Sequence, residues 1–309
     1  MASNCATMLS KIKIPLPDML NAVLDLDSSA LIIEQIKNLI KICRSKEEMD
    51  LLRNSAGGDK EMLGKFEEIF GELMKVPRIE PKLRVFAFKV DYSSRVKDLR
   101  IWLNTIIAAT KEIMGSVKLL RIMQTISTLE ILGGSNAECV LASLVRLSDN
   151  VDLMHDFYKL VGEKMPELLD FGKDLVHLEA ASKIELNTVA ENMQQLYDIE
   201  REVDDEFIAS ENDGANFVGF RNVLYDFLGR IDADAQLLNI LYSEAGRIVD
   251  SYISEYPTSV SFEEVTNILN RFVETFYKSR EEIERQAEAE REILEKETMN
   301  INQNGTGNH

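Results

Sequence analysis

Residues Val76 to Lys89 read VPRIEPKLRVFAFK, two prolines with a cluster of basic and aromatic side chains, in a chain otherwise dominated by helical spacing. Pro77 and Pro81 lack a backbone donor and push the residue before each towards extended geometry. The preceding helix is therefore predicted to stop near Lys75, and the chain to turn a corner. A basic, aromatic corner of this kind suits docking.

Charge extends the same reading. Residues 75 to 121 hold 11 basic and 4 acidic side chains, an excess suited to an acidic protein surface. Residues 1 to 126 carry 20 Lys and Arg against 16 Asp and Glu, whereas the remainder carries 15 against 37. The net charge of −18 opposes phosphate binding, so no nucleic-acid partner is expected. A solvated helix face is the plain alternative for the basic stretch.

Outward from the corner, the apolar positions recur at helical spacing. Tyr92, Val96, Leu99, Leu103 and Ile106 form one stripe, which Ile113, Val117, Leu120 and Met123 extend towards Leu129, with Gly133 and Gly134 as terminators. Before the corner, Leu31, Ile36, Leu39, Ile40 and Cys43 mark an amphipathic helix. Ser45 with Glu48 is a capping-box pattern, Gly57 and Gly58 end that helix, and Asp59 caps the next. Further on, a near-heptad from Leu175 to Phe207 predicts one long helix, which SENDG at 210 to 214 breaks. Shorter patterns follow around Phe217 to Leu228 and Leu237 to Val249. Ser261 with Glu264 opens a last helix carrying Val265, Leu269, Phe272 and Phe276 inward. Glu281 to Lys296 is highly charged and reads as a solvated or partner-binding helix, and residues 300 to 309 as a disordered tail. Strand signals are poor and no internal repeat appears. These patterns read as all-α, an elongated helical array being as plausible as one compact globule; the expectation is an elongated multi-helix architecture with a long, three-helix, coiled-coil-like C-terminal half.

Catalytic and metal chemistry find no support. His155 and His177 lie on predicted helices without Cys or His at metal spacing, and His309 is terminal. P-loop, GxGxxG and GxSxG motifs are absent, and the acidic run Glu202 to Glu206 lacks the spacing of a calcium loop, reading as a helix surface. No enzyme activity and no cofactor are expected. No apolar run reaches the roughly 18 residues of a membrane span. Lys11 and Lys13 precede prolines rather than an apolar core, so the start does not read as a signal peptide. Without a signal sequence, the glycosylation pattern at Asn304 to Thr306 has little meaning. Cys5, Cys43 and Cys139 are too scattered for a disulfide framework, which favours the cytosol.

Several ordered blocks carry a family resemblance: KIKIPLPDML (11 to 20), SKEEMDLL (45 to 52), LMKVPRIEPKLRVFAFK (73 to 89), GSVKLLRIMQTI (115 to 126), EKMPELLDF (163 to 171) and LVHLEAASKIELNTVAENMQ (175 to 194). From about Asn4 to Arg285 the chain resembles the formin-homology-2 domain of class II plant formins. That resemblance implies an all-helical protein of the actin cytoskeleton, cytoplasmic, whose knob and post contact actin and whose family members form head-to-tail dimers through a lasso. It implies actin as partner, as monomer or filament barbed end, and other formin-homology-2 domains as further partners. Assembly would be promoted by binding surfaces rather than by a chemical active site.

The departures are as specific as the matches. The family's N-C-E-I-M-L corresponds to Asn4 to Leu9, which puts Thr7 at the actin-contacting isoleucine with Met8 beside it. Its post motif L-G-N-x-x-N-x-G is missing or eroded after Leu129, and Arg146, in Arg146-Leu147-Ser148-Asp149, keeps the basic post position. The actin-binding residues expected from the resemblance are Thr7, Met8, Lys82, Arg84, Lys89 and Arg146. Trp102, the single tryptophan, falls in an amphipathic helix and reads as packing rather than as a lasso anchor. The expected organisation is a formin-homology-2-like domain over 1–290 lacking lasso and linker, knob-like over 1–90 and post-like and coiled-coil over 91–290, with a charged helix end and tail over 291–309. Nucleation is expected to be weak or lost. The alternative is a helical scaffold or coiled-coil regulator without actin contact.

Overall fold

A computed structural model describes residues 15–44, 68–132, 140–214, 217–254, 256 and 260–305; these are predominantly helical, joined by turns and loops, and contain no strand. The helices are α1 (Leu16–Leu24), α2 (Ile33–Arg44), α3 (Ile79–Gly115), α4 (Val117–Leu132), α5 (Val140–Asp149), α6 (Val151–Lys164), α7 (Leu178–Ala181), α8 (Leu186–Ala209), α9 (Val218–Ile253) and α10 (Phe262–Gly305). A helical segment at 68–73 precedes α3, and 3-10 turns occupy Pro166–Leu168, Phe171–Asp174 and Ser210–Asn212. The Ser45/Glu48 and Asp59 start signals and the stop signals Gly57, Gly58, Gly133 and Gly134 lie outside the described residues. The chain divides into two compact units, one of residues 1–101 and 189–241, the other of 102–188 and 242–309. Each is therefore assembled from two separate stretches of chain rather than from one.

In the first unit α1 ends in a Schellman turn. Asp27 N–H bonds Ala22 C=O at 2.9 Å and Leu26 N–H bonds Val23 C=O at 3.4 Å, with Leu26 at φ 49° where glycine is usual. Leu26 tolerates that backbone because its side chain is fully buried among the apolar residues of this unit. Phe88, Tyr92 and Phe227 meet in tilted and edge-on pairs 5.2 to 5.8 Å apart. The stripe from Tyr92 to Leu99 is buried as its spacing predicts.

The basic corner differs from the sequence expectation. The helix before it ends at 73, close to the predicted stop, but α3 begins already at Ile79 and runs 37 residues, so Lys82, Arg84 and Lys89 are helical and no corner separates them from Tyr92. Pro81 is the third residue of α3, inside the first turn, where backbone N–H groups have no intrahelical partner and a missing donor costs nothing. The turn itself is confined to residues 74–78 and closes on Arg78, at φ 51°.

In the second unit the first half of α10 packs on α5, α6 and α7. Phe272 and Phe276 join Phe157 and Phe171 in one aromatic cluster with centroids 5.1 to 6.3 Å apart, burying the apolar stripe that the sequence assigns to this helix. Glu264 N–H bonds Ser261 Oγ at 3.1 Å, which is the predicted cap. The helix continues through Gly305, past the residue at which the sequence places the start of a tail.

The long helix predicted from Leu175 is shorter than expected. Residues 171–185 form a 3-10 turn, the four-residue α7 and a loop, and α8 starts only at Leu186, whose N–H is capped by Glu263 Oε1 at 2.8 Å. Leu175 and Leu178 are buried as the heptad implies, so the apolar pattern is obeyed by separate turns rather than by one helix. Gly172 makes the tight packing possible: its N–H bonds Tyr277 Oη at 3.0 Å, and a Cβ there would lie 2.6 Å from Tyr277 Cε2. At the other end of α8, Gly214 at φ 94° supplies the left-handed residue that the SENDG turn needs.

Candidate functional site

Lys82 lies on the first turns of α3 and is fully buried. Its Nζ is 2.8 Å from Glu206 Oε1 and 2.6 Å from Asp213 Oδ2, both carboxylates also buried. The same ammonium stands over the rings of Phe217 and Phe220, at 5.5 and 5.1 Å from their centroids. Arg78 completes a group of two cations and two anions. Its Nη2 reaches Glu206 Oε1 at 3.1 Å and Asp213 Oδ2 at 2.6 Å, and its Nη1 donates to Ala209 C=O at 2.6 Å, capping the negative end of α8. Hydrogen bonding to Glu206 holds the Arg78 guanidinium above its ordinary pKa against the opposing effect of burial. Glu206, which the sequence reads as helix surface, is an interior residue: it stands three positions after Val203, on the buried side of α8. That spacing was the signal available for it.

Arg84 and Lys89 lie further along α3. Arg84 keeps 40% of its side chain exposed while pairing with Glu80 at 3.4 Å and Glu202 at 3.3 Å. Lys89 donates from Nζ to Leu26 C=O at 2.7 Å, the carbonyl that the Schellman turn presents. Burial, then the nearby Arg230 charge, pushes the Lys89 ammonium below its usual range, with Asp27 opposing. Of the eleven basic residues between 75 and 121, nine reach a carboxylate, and for seven of those a carboxylate comes from the acidic part of the chain beyond residue 126. The local basic excess is largely neutralised within the fold.

The second unit carries Arg146 on α5. Its Nη2 pairs with Glu130 Oε1, while Ser143 Oγ, one turn earlier on the same face, donates to Glu130 Oε2. Glu130 lies near the C-terminal end of α4 with only 11% of its side chain exposed, whereas 55% of Arg146 remains exposed. Both residues line a cavity of 350 Å³ whose apolar wall is formed by Ile126, Leu129, Leu147, Leu153, Phe157 and Leu160. Glu130 is a second residue that the sequence did not single out. It lies directly after Leu129, and nothing in its spacing links it to Ser143 or Arg146.

Thr7 and Met8 lie outside the described residues. Lys82, Arg84 and Lys89 belong to the first unit and Arg146 to the second. Lys82, fully enclosed by its carboxylates and rings, presents no surface to a partner. His155 and His177 are hydrogen-bonded to Glu282 and Glu112. Among the described residues no group of three His, Cys, Asp or Glu side chains could hold a metal ion, and no helix is long and apolar enough to cross a membrane.

Comparison with known proteins accounts for the helical plan. The Formin Homology 2 Domain family model matches residues 1–131 and 140–277. Formin-like protein 12 of Arabidopsis thaliana is 76% identical over 305 residues, covering 99% of each chain. Formin-like protein 14 of Arabidopsis thaliana is 58% identical and Formin-like protein 3 of Oryza sativa subsp. japonica 52% identical, each matching 96% of this chain but 25% of its own length. The chain thus spans nearly all of the first relative and a quarter of the other two. With the match extending over most of its residues, the chain belongs to the Formin Homology 2 Domain family.

Proposed function

We propose that this protein binds actin, as monomer or filament barbed end, and takes part in organising the actin cytoskeleton through binding surfaces rather than chemical catalysis, with nucleation weak or lost. The family match across 1–131 and 140–277 is the observation that carries this reading. Thr7, Met8, Arg84, Lys89 and Arg146 form the contact set, knob-like over residues 1–90 and post-like and coiled-coil beyond them. Lys82 leaves that set for a structural role. Other formin-homology-2 domains are further partners, and the location is cytoplasmic, with the cytoskeleton. Weak nucleation is supported by the sequence between Leu129 and Arg146, which departs from the family's post motif, and by the engagement of Arg146 with Glu130.

One observation favours a second reading, a helical scaffold or regulator without actin contact: most of the basic stretch is already paired internally. Co-sedimentation with filamentous actin over a salt series separates the two. An actin binder driven by exposed cations pellets with filaments at low salt and progressively less as screening rises. A protein that stays in the supernatant at every salt concentration is the scaffold.

A further inference from the structure

We propose that Glu130 is an internal counter-charge that competes with an acidic partner surface for Arg146 and so weakens the post-like contact; this rests on the actin-binding reading above. The carboxylate sits near the C-terminal end of α4, where the helix dipole disfavours negative charge, so its position is not explained by α4 itself. It is explained by α5. Ser143 and Arg146 stand one turn apart and take one oxygen of Glu130 each, the hydroxyl steadying the carboxylate and the guanidinium answering its charge. Glu130 is thereby held almost out of solvent while Arg146 stays more than half exposed. A carboxylate arriving on a partner meets a guanidinium that is reachable but already paired. To bind it, the partner must share or displace Glu130, and the pair's own energy is lost from the contact.

The test compares the full-length wild type with Glu130→Gln, Arg146→Gln and the double variant in actin co-sedimentation at low ionic strength. Glu130→Gln keeps a side chain able to accept from Ser143 and removes the charge. It is expected to raise the association constant about threefold, a typical value for an exposed charge pair. The gain shrinks as salt rises and is missing when Arg146 is already Gln. Ser143→Ala, which leaves both charges in place but frees Glu130, gives a smaller gain in the same direction and serves as a milder variant should Glu130→Gln fold poorly. Wild-type binding that neither Glu130→Gln nor Ser143→Ala changes, or a gain equally large in the Arg146→Gln background, overturns the counter-charge role alone. Failure of wild type and every variant to bind overturns the actin reading with it.

Discussion

Lys82 Nζ and Asp213 Oδ2 lie 2.6 Å apart, both almost wholly out of solvent, and this contact joins the start of α3 to the turn after α8 across 131 residues of sequence. Taking an ammonium and a carboxylate out of water is costly unless each remains fully partnered. Here Glu206 and Arg78 complete the pairing and two aromatic rings cover the ammonium. Residues that make the sequence look like a docking corner therefore tie the start of α3 to the end of α8.

Lys82→Met should cost about 3 kcal/mol of stability, because it leaves two buried carboxylates to Arg78 alone. Replacing Lys82 and Asp213 together by Met and Leu should lose less than the two single changes combined, since the double variant strands no charge. Urea unfolding of the three variants measures this directly. A Lys82→Met midpoint equal to wild type would show that the ion cluster contributes nothing to folding.

Gly172→Ala is expected to destabilise the second unit by roughly 1 to 3 kcal/mol, the usual cost of overpacking. The added methyl would stand 2.6 Å from Cε2 of Tyr277, a rigid ring already stacked on Phe171. Trimming the ring with Tyr277→Ala should absorb most of the Gly172→Ala effect. Thermal melts in which the two changes simply add would argue that the clash is relieved elsewhere.

The helices were legible in the sequence over much of the chain, though the expected extension of the stripe is not obeyed: one helix ends at Gly115, the next starts at Val117, and Val117 and Leu120 are exposed. Tyr92, Val96, Leu99, Leu103 and Ile106 are buried as their spacing requires, and Ser261 caps α10 as its pattern requires. The breaks were harder to read because their causes are distant in sequence. Residues 171–185 stop being helical where Tyr277 and Glu263 take backbone donors from more than 70 positions away. Pro81 misleads for a local reason, since a proline that interrupts a helix and one that opens it differ only in which residue is first. At the candidate site, the type of charge was legible but its partner was not. Arg146 and Lys82 both read as free cations until Glu130, Glu206 and Asp213 are placed beside them.

Stability should also respond to pH through Glu200. Burial first, then hydrogen bonding and charge from Asp232 and charge from Asp204, hold its carboxyl above the ordinary value of 4.5. A raised carboxyl favours the protonated form in the folded state. Its contribution to stability is therefore full below the unfolded pKa and is lost as pH rises through the folded one. Glu200→Gln should stabilise the protein at pH 7 by about 0.5 kcal/mol, the scale of a solvent-screened like-charge pair one helical turn apart. The advantage should vanish below roughly pH 4, where Glu200 is protonated in both states. Denaturation curves at pH 4 and pH 7 test the sign, and a larger benefit at pH 4 contradicts it.

Thr7 gives the sharpest functional prediction. The resemblance puts it at the position of an apolar family residue in the block from Asn4 to Leu9, so on the proposed reading Thr7→Ile should restore buried apolar area at the contact. The gain expected is about 1 to 2 kcal/mol, or roughly 5- to 30-fold in actin affinity. Nucleation should not return with it. On the proposed reading the stretch between Leu129 and Arg146 still departs from the family's post motif, and Arg146 is still held by Glu130, so pyrene-actin assembly should stay near the rate of actin alone. The two readouts thus separate binding from nucleation. Unchanged binding in Thr7→Ile, together with unchanged binding in Arg146→Glu, would place both residues outside any actin contact and leave the scaffold reading in possession.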